Sequence, residues 1–298
     1  MNQLIARSRT LCFFSLLTAT FAAAVPAQAE QNVAIRFMAA VGDKAFACGQ
    51  SYSGVGTAAA SITPTDFRLY LSSVALVDAQ GKVVPLTLTQ DGVWQYQDVA
   101  LLDFEDGSGP CQNGNTPTND TLRGSVPDGD YRGVQFTLGL PFGLNHADNL
   151  LASSPLNLSA MFWNWQGGYR FFKVDLAAAN TGMHSGMMGG AAAEAGGHGN
   201  GGFLIHLGST GCASAASTAA PATACANPNT VSASFDGFNA AADSIVVDLA
   251  ALLQFSDVTS NTEGTSPGCM SAATDPECAP LFRGFGLDGS PQQLFRVK

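Results

Sequence analysis

The chain has 298 residues, 46% of them hydrophobic, with 13 basic against 23 acidic side chains and a formal net charge of −10. Such an acidic chain, with no basic stripe, has no means of displacing phosphate counterions, which excludes nucleic acid as a partner. Past the N-terminal leader, no stretch approaches the roughly 18 continuous apolar residues of a membrane span, so no membrane anchor is expected.

Met1 to Arg9 carries two arginines and no acid, and Leu11 to Val25 is apolar or small almost throughout. Ala27-Gln28-Ala29 then supplies the small-x-small pattern of a signal-peptidase site. Residues 1–29 therefore read as a signal peptide, with cleavage before Glu30 and a periplasmic or secreted product. Its removal takes Arg7 and Arg9 away and leaves residues 30–298 as a single, still more acidic domain. Cys12 leaves with the leader. Cys48, Cys111, Cys212, Cys225, Cys269 and Cys278 remain, an even set that reads as disulfides formed in an oxidising compartment. Short loops favour Cys212–Cys225 and Cys269–Cys278, and Cys48–Cys111 follows by elimination. No CxxC occurs, which argues against zinc.

From Glu30 onward strands dominate. Val33 to Phe37 alternates, as does Phe67 to Leu71, which runs on through Val74 to Val77. A turn at Asp78 to Gly81 leads into Val83 to Leu88 as the second arm of a hairpin. Val134, Phe136 and Leu138 alternate with polar residues, and Ile245, Val247 and Leu249 repeat the pattern. A period of two buries one face of each segment. Trp163 and Trp165 share a face if Met161 to Gln166 is a strand, and Gly167-Gly168 forms a hairpin turn back through Tyr169, Phe171 and Phe172. Helical turns are expected only at His146 to Ala152 and Asp248 to Phe255. Thr181 to Gly202 and Cys212 to Asn229 are low in complexity and read as surface loops. The fold class is all-β, an antiparallel β-sandwich with long disulfide-pinned loops.

Four histidines are present, and two sit in well-shaped contexts. His146 lies just past a strand end, and His206 lies within a strand of aliphatic neighbours. Together with Trp163 and Trp165 between them, they point to a soft-metal centre, with copper the metal that suits imidazole in an exported protein. A core histidine bonded to a carbonyl and cross-strand aromatic packing explain the same residues without a metal. Met183, His184, Met187, Met188 and His198 form a second, looser set in a Gly-rich tract, suited to copper(I) through thioether and imidazole. Asp103, Glu105 and Asp106 precede Gly107-Ser108-Gly109 and offer hard oxygens that calcium accepts, though without EF-hand spacing; a solvated acidic loop is the simpler alternative. No GxSxG, HExxH or phosphate loop occurs, so the chain is not read as an enzyme.

Several blocks, in order, resemble the MbnP-like family, the metallo-mystery pair proteins with a four-Cys motif. They are Phe46-Ala47-Cys48-Gly49 with Tyr52 and Gly54 to Thr57, Asp66 to Ser72, Asp98 to Gly107 with Cys111, and Leu138 to His146. Met161 to Tyr169, His206 to Cys212, Pro267 to Met270 and Asp275 to Cys278 complete the set. The resemblance implies an exported protein paired with a MauG-like di-haem enzyme of the cytochrome c peroxidase type. That partner converts a tryptophan to kynurenine, which then helps bind copper(I). Carried onto this chain, the modified residue is Trp163 or Trp165 and the imidazoles are His146 and His206. Kynurenine presents an aryl amine and a ketone where indole nitrogen is a donor only. The Met183–His198 tract matches none of these blocks.

Overall fold

A computed structural model describes residues 29–112, 114–164, 166–177 and 202–298. The leader, Trp165 and the Met/His tract lie outside the described residues.

Two sheets pack face to face. One has six strands, in the order Phe295–Val297, Ser244–Asp248, Glu30–Val41, Thr121–Pro127 and Thr87–Leu88, with Lys44–Ala45 added on Glu30–Val41. The other has eight strands around the 15-residue strand Pro64–Asp78. Its main path runs Phe203–Leu207, Phe172–Leu176, Pro64–Asp78, Tyr131–Leu138, Val231–Asp236. Val83–Pro85 and Val99–Asp103 also pair with Pro64–Asp78. Between the sheets Phe136 meets Phe37 and Phe295 edge-on, at 5.7 and 5.0 Å between ring centroids. These are favourable T-shaped contacts on top of the apolar burial.

The alternating segments 33–37, 67–77 and 134–138 lie in strands, with 67–77 in one unbroken element, and Ile245 and Val247 lie in strand Ser244–Asp248, whereas Leu249 begins a helix. One pairing departs from the antiparallel expectation: Glu30–Val41 and Ser244–Asp248 run parallel. The chain reaches Ser244 from a strand of the opposite sheet, so no hairpin dictates its direction. The short helix expected from His146 onward instead occupies Phe142–Asn145 and ends where His146 was to begin it. Leu249–Leu253 is helical, with the Asp248 carboxylate capping the amides of Ala250 and Ala251. Cys278–Phe285 is a helix the sequence pattern did not announce, with Pro280 tolerated in its first turn. The cysteines pair Cys48–Cys111, Cys212–Cys225 and Cys269–Cys278, the pairing that loop length favours.

The eight-stranded sheet forks at Tyr70. Its N–H donates to Phe171 O at 2.8 Å, and its carbonyl accepts from Gly139 N at 3.0 Å. The N–H and C=O of one strand residue point to the same side. Phe172–Leu176 and Tyr131–Leu138 therefore lie end to end along one edge of the long strand, with Phe172 opposite Leu69 and Leu138 opposite Leu71. The outer strands repeat the split, with Leu207 opposite Phe172 and Val231 opposite Leu138. Two excursions, residues 139–171 and 208–230, thus leave and re-enter the sheet at the same gap. The first carries His146 and Trp163 and the second carries Cys212 and Cys225, while His206 stands at the brink.

Gly139 sits in the throat with φ +139°, and a Cβ there would lie 2.7 Å from Thr230 Cγ2. Gly139→Ala should lower unfolding stability by about 1–3 kcal/mol, read from urea denaturation, because it adds both backbone strain and a clash.

Candidate metal centre

His146 follows the last residue of the 142–145 helix and is 5% exposed. Its neighbour Asn145 fixes it. The Asn145 Oδ1 accepts the Tyr169 backbone N–H at 2.8 Å, which settles which end of the amide is nitrogen. Nδ2 then donates to Ser209 Oγ at 3.3 Å and faces His146 Nε2 at 3.1 Å. An amide N–H can only donate, so Nε2 carries the lone pair. Cys225 Sγ lies 3.5 Å from the same nitrogen. Nε2 and the sulfurs of Cys212 and Cys225 all lie within 4.8 Å of one another, a compact His/Cys group among the described residues. The two sulfurs are bonded to each other. In that state they are weak ligands, since metal binding calls for the thiolate.

His206, in strand Phe203–Leu207, is 1% exposed. Its Nε2 meets Asp175 Oδ1 at 2.6 Å. Its Nδ1 is buried and has no hydrogen-bond partner among the described residues. Burial lowers the imidazole pKa, against the opposing pull of Asp175, and favours the neutral ring. Burial alone would raise the Asp175 carboxyl, but the hydrogen bond from His206 and the charge of Lys173 together hold it well below the usual carboxylate range. The neutral ring therefore donates an Nε2–H hydrogen bond to a carboxylate and keeps its lone pair on Nδ1. A carboxylate gripping one ring nitrogen while the other is free is the arrangement in which metal-ligating histidines are held.

The sheet register explains these neighbours. Lys173 stands opposite both His206 and Arg68, and Arg68 stands opposite Asp103. One row of ionisable residues thus crosses four strands. Two cations side by side would repel. Asp66 resolves this by accepting from both Arg68 and Lys173, while Lys173 also donates to Asp175 Oδ2 at 2.7 Å. The row is buried throughout, with Arg68 1% exposed.

Trp163 lies against the second excursion. It lies in the short strand Phe162–Asn164, which pairs with Gly168–Tyr169; Gly168, expected in the turn, is a strand residue opposite Asn164, and Phe172 belongs to the large sheet instead. Its six-membered ring lies over Gly208, where a Cβ would come within 2.4 Å of Cζ3. Gly208 follows His206 by two positions, and so continues the same face of the chain. The Arg170 guanidinium lies 5.6 Å from the Trp163 ring centroid and donates to Ala160 O and Phe162 O. His146, His206 and Trp163 thus come from three segments that meet at the fork. His206 is not part of the compact group around His146 Nε2.

The acidic residues suggested for calcium do not converge. Asp103 and Glu105 are fully buried, whereas Asp106 is exposed. Glu105 accepts the amides of Gly107 and Asn115 and lies 3.8 Å from Arg68. Its oxygens thereby bind the 105–115 loop that Cys48–Cys111 pins. Asp175, Lys173, Asp66 and Arg68 were not singled out from the sequence. An Asp-x-Arg at 66–68 and a Lys-x-Asp at 173–175 each place two ionisable groups on one face of a strand, and that was the available signal.

Disulfide-pinned excursions from a forked β-sandwich, with buried imidazoles held by side-chain partners, define an oxidised β-protein carrying a buried His/Cys group of metal-ligand type. Among the described residues no helix is long and apolar enough to cross a membrane. The MbnP family model matches residues 30–271, and the chain belongs to that family. The solved structure of MbnP from Methylosinus trichosporium is 32% identical, with a TM-score of 0.72 over 90% of this chain and 98% of that one. No curated protein matches.

Asp103 supplies a pH test of the buried row. Burial pushes its carboxyl up to about 8, despite the nearby Arg68. Folded protein keeps this proton where the unfolded chain, near pKa 3.9, has lost it. Its contribution to stability is complete below that lower pKa and is lost as pH rises through about 8. Asp103→Asn should therefore gain stability relative to the parent as pH rises from 5 to 9, by of order 1 kcal/mol per pH unit at most, measured by urea unfolding.

Proposed function

We propose that the protein is an exported, non-enzymatic copper(I)-binding protein of the periplasm or medium. Its metal centre uses His146, His206 and a kynurenine made from Trp163 or Trp165 by a MauG-like di-haem partner. Acquisition or homeostasis of copper is the task that fits.

The observation that carries this reading is the Nδ1 of His206, a buried lone pair without a hydrogen-bond partner among the described residues, beside an Nε2 held by Asp175. A buried polar atom left unpaired costs free energy, and a bound cation would recover it. Neutral imidazole is a ligand that copper(I) accepts. Conversion of a tryptophan adds an aryl amine and a ketone at the same fork, where Trp163 already lies beside Gly208. Three disulfides are at home in an oxidising compartment. A family likeness to MbnP over most of the chain supports the same reading.

Protein produced with the di-haem partner should show a net gain of one oxygen and loss of one carbon, localised to the peptide containing Trp163 and Trp165. It should bind copper(I) more tightly than protein produced without that partner. Equal affinity in the two preparations would overturn the kynurenine part of the reading.

His146→Ala and His206→Ala should each weaken copper(I) binding, by about tenfold or more in competition with a chromophoric chelator. Asp175→Asn should weaken it by roughly 10–100-fold while leaving all three proposed ligands in place. Unchanged affinity in both histidine variants would remove these residues from the site and favour an exported structural domain.

A further inference from the structure

We infer that Cys212, Cys225 and His146 form a second, redox-gated metal site, closed while the disulfide is intact and opened by a dithiol reductant. Its donors would be two thiolates and one imidazole, a set that suits a zinc-like divalent cation. The inference does not rest on the copper reading and needs no kynurenine; His146 is the one residue the two share.

The geometry is already that of a site. The three potential ligand atoms lie within 4.8 Å of one another, and all three residues are buried. His146 Nε2 lies 3.5 Å from Cys225 Sγ and accepts from Asn145 Nδ2, so it is the unprotonated ring nitrogen. The orientation of that amide is held from the far side by Tyr169 N–H and Ser209 Oγ. The imidazole is thus set, independently of the disulfide, with an acceptor nitrogen toward the sulfurs.

The sulfurs would stay put on reduction. Residues 212–225 form a loop whose neck is tied by backbone hydrogen bonds. Thr210 N–H donates to Asn227 O at 2.9 Å, Asn227 N–H returns to Thr210 O at 3.0 Å, and Ala226 N–H donates to Gly211 O at 3.1 Å. Gln166 Nε2 donates to Cys212 O at 3.0 Å, which anchors that cysteine to the Trp163 hairpin. Breaking the S–S bond leaves each of these in place, so the thiols remain neighbours. Little ordering entropy opposes metal binding in such a preorganised set.

The chemistry balances. A dithiol gives two electrons and two protons to the Sγ–Sγ bond and is itself oxidised to a disulfide. Cys212 and Cys225 each gain an S–H. A divalent cation then displaces both thiol protons. Two thiolates neutralise its two charges, so the buried assembly carries no net charge, which a low-dielectric pocket tolerates far better than an isolated ion. Tetrahedral N/S coordination with a fourth position left to solvent is a common zinc arrangement.

The test uses the mature chain produced without the di-haem partner, reduced with dithiothreitol, desalted anaerobically and titrated with cobalt(II) as a spectroscopic probe. Reduced protein should develop thiolate-to-cobalt charge-transfer absorption and tetrahedral ligand-field bands that untreated protein lacks. Cys212→Ser/Cys225→Ser, treated identically, reports any contribution from the other four cysteines and should lose the tetrahedral signal. His146→Ala should weaken cobalt binding by about tenfold or more and shift the ligand-field bands. His206→Ala should leave both unchanged, which separates this site from the copper centre. A spectrum and affinity in His146→Ala or in the double serine variant equal to those of the parent would overturn the assignment, whatever the copper titrations show.

Discussion

The whole arrangement of excursions at the fork depends on one residue's backbone pairing in two directions along the same edge. Tyr70 gives its N–H to Phe171 and takes the N–H of Gly139. A strand of ordinary length would pair with one neighbour per edge. Here a 15-residue strand serves two in succession, and the chain between them must leave the sheet and come back at the same point. The outer strands obey the same split, so a second excursion is forced into the same gap. The side chains of the tyrosines seal the junction. Tyr70 Oη donates to Pro155 O at 2.8 Å, Tyr169 Oη donates to Leu156 O, and the two rings meet edge to face at 5.8 Å. Buried hydroxyls with partners are tolerated, and here they fasten the first excursion to the sheet.

The buried ionic row plays a different part. Taking Arg68, Lys173, Asp66 and Asp175 out of water is costly, and such groups seldom add net stability over an apolar replacement. What they add is direction. Asp66 is shared by Arg68 and Lys173, Lys173 shares itself with Asp175, and Asp175 takes the Nε2 of His206. Each charge limits the rotamers of the next, and the chain of restraints ends on an imidazole whose other nitrogen has no partner among the described residues. Apolar substitutes would pack as well but would leave His206 free to turn. A row that spends desolvation energy to orient one ring makes physical sense where that ring has a binding task.

Much of the fold was legible because local physics wrote it. The two-residue alternation around Phe67, Val134 and Ile245 reports burial of one face, and that survives in any register. Gly167-Gly168 marked the return of Tyr169 against Phe162, although Gly168 itself pairs as a strand residue. What the sequence could not display is which strands share an edge. Asp175 lies 31 positions from His206, and Asp66 lies 107 from Lys173. Their union is a matter of register between non-neighbouring segments. The misplaced helical turn has a local cause: Pro141 is placed to start a helix, with φ −58°, so the turn forms over Phe142–Asn145 and leaves His146 as its terminus. The helix Cys278–Phe285 was hidden for a similar reason, since Pro280 and Gly284 read as breakers unless their positions within the helix are known.

The two histidines at the fork are held in complementary ways, and this bears on what can bind there. His206 is gripped through Nε2 by an anion and leaves Nδ1 bare. His146 is faced at Nε2 by a fixed amide and a sulfur. Neither ring sits on a floppy segment, because His206 belongs to a paired strand and Asn145 stitches its neighbour His146 to Tyr169 and Ser209. A soluble carrier built only from a Met- and His-rich tract would have to order its ligands on every binding event, and that entropy would weaken its hold. Donors taken from a sheet and from stitched excursions have met that cost during folding. Any cation taken up at the fork would therefore meet donors that are already held in place.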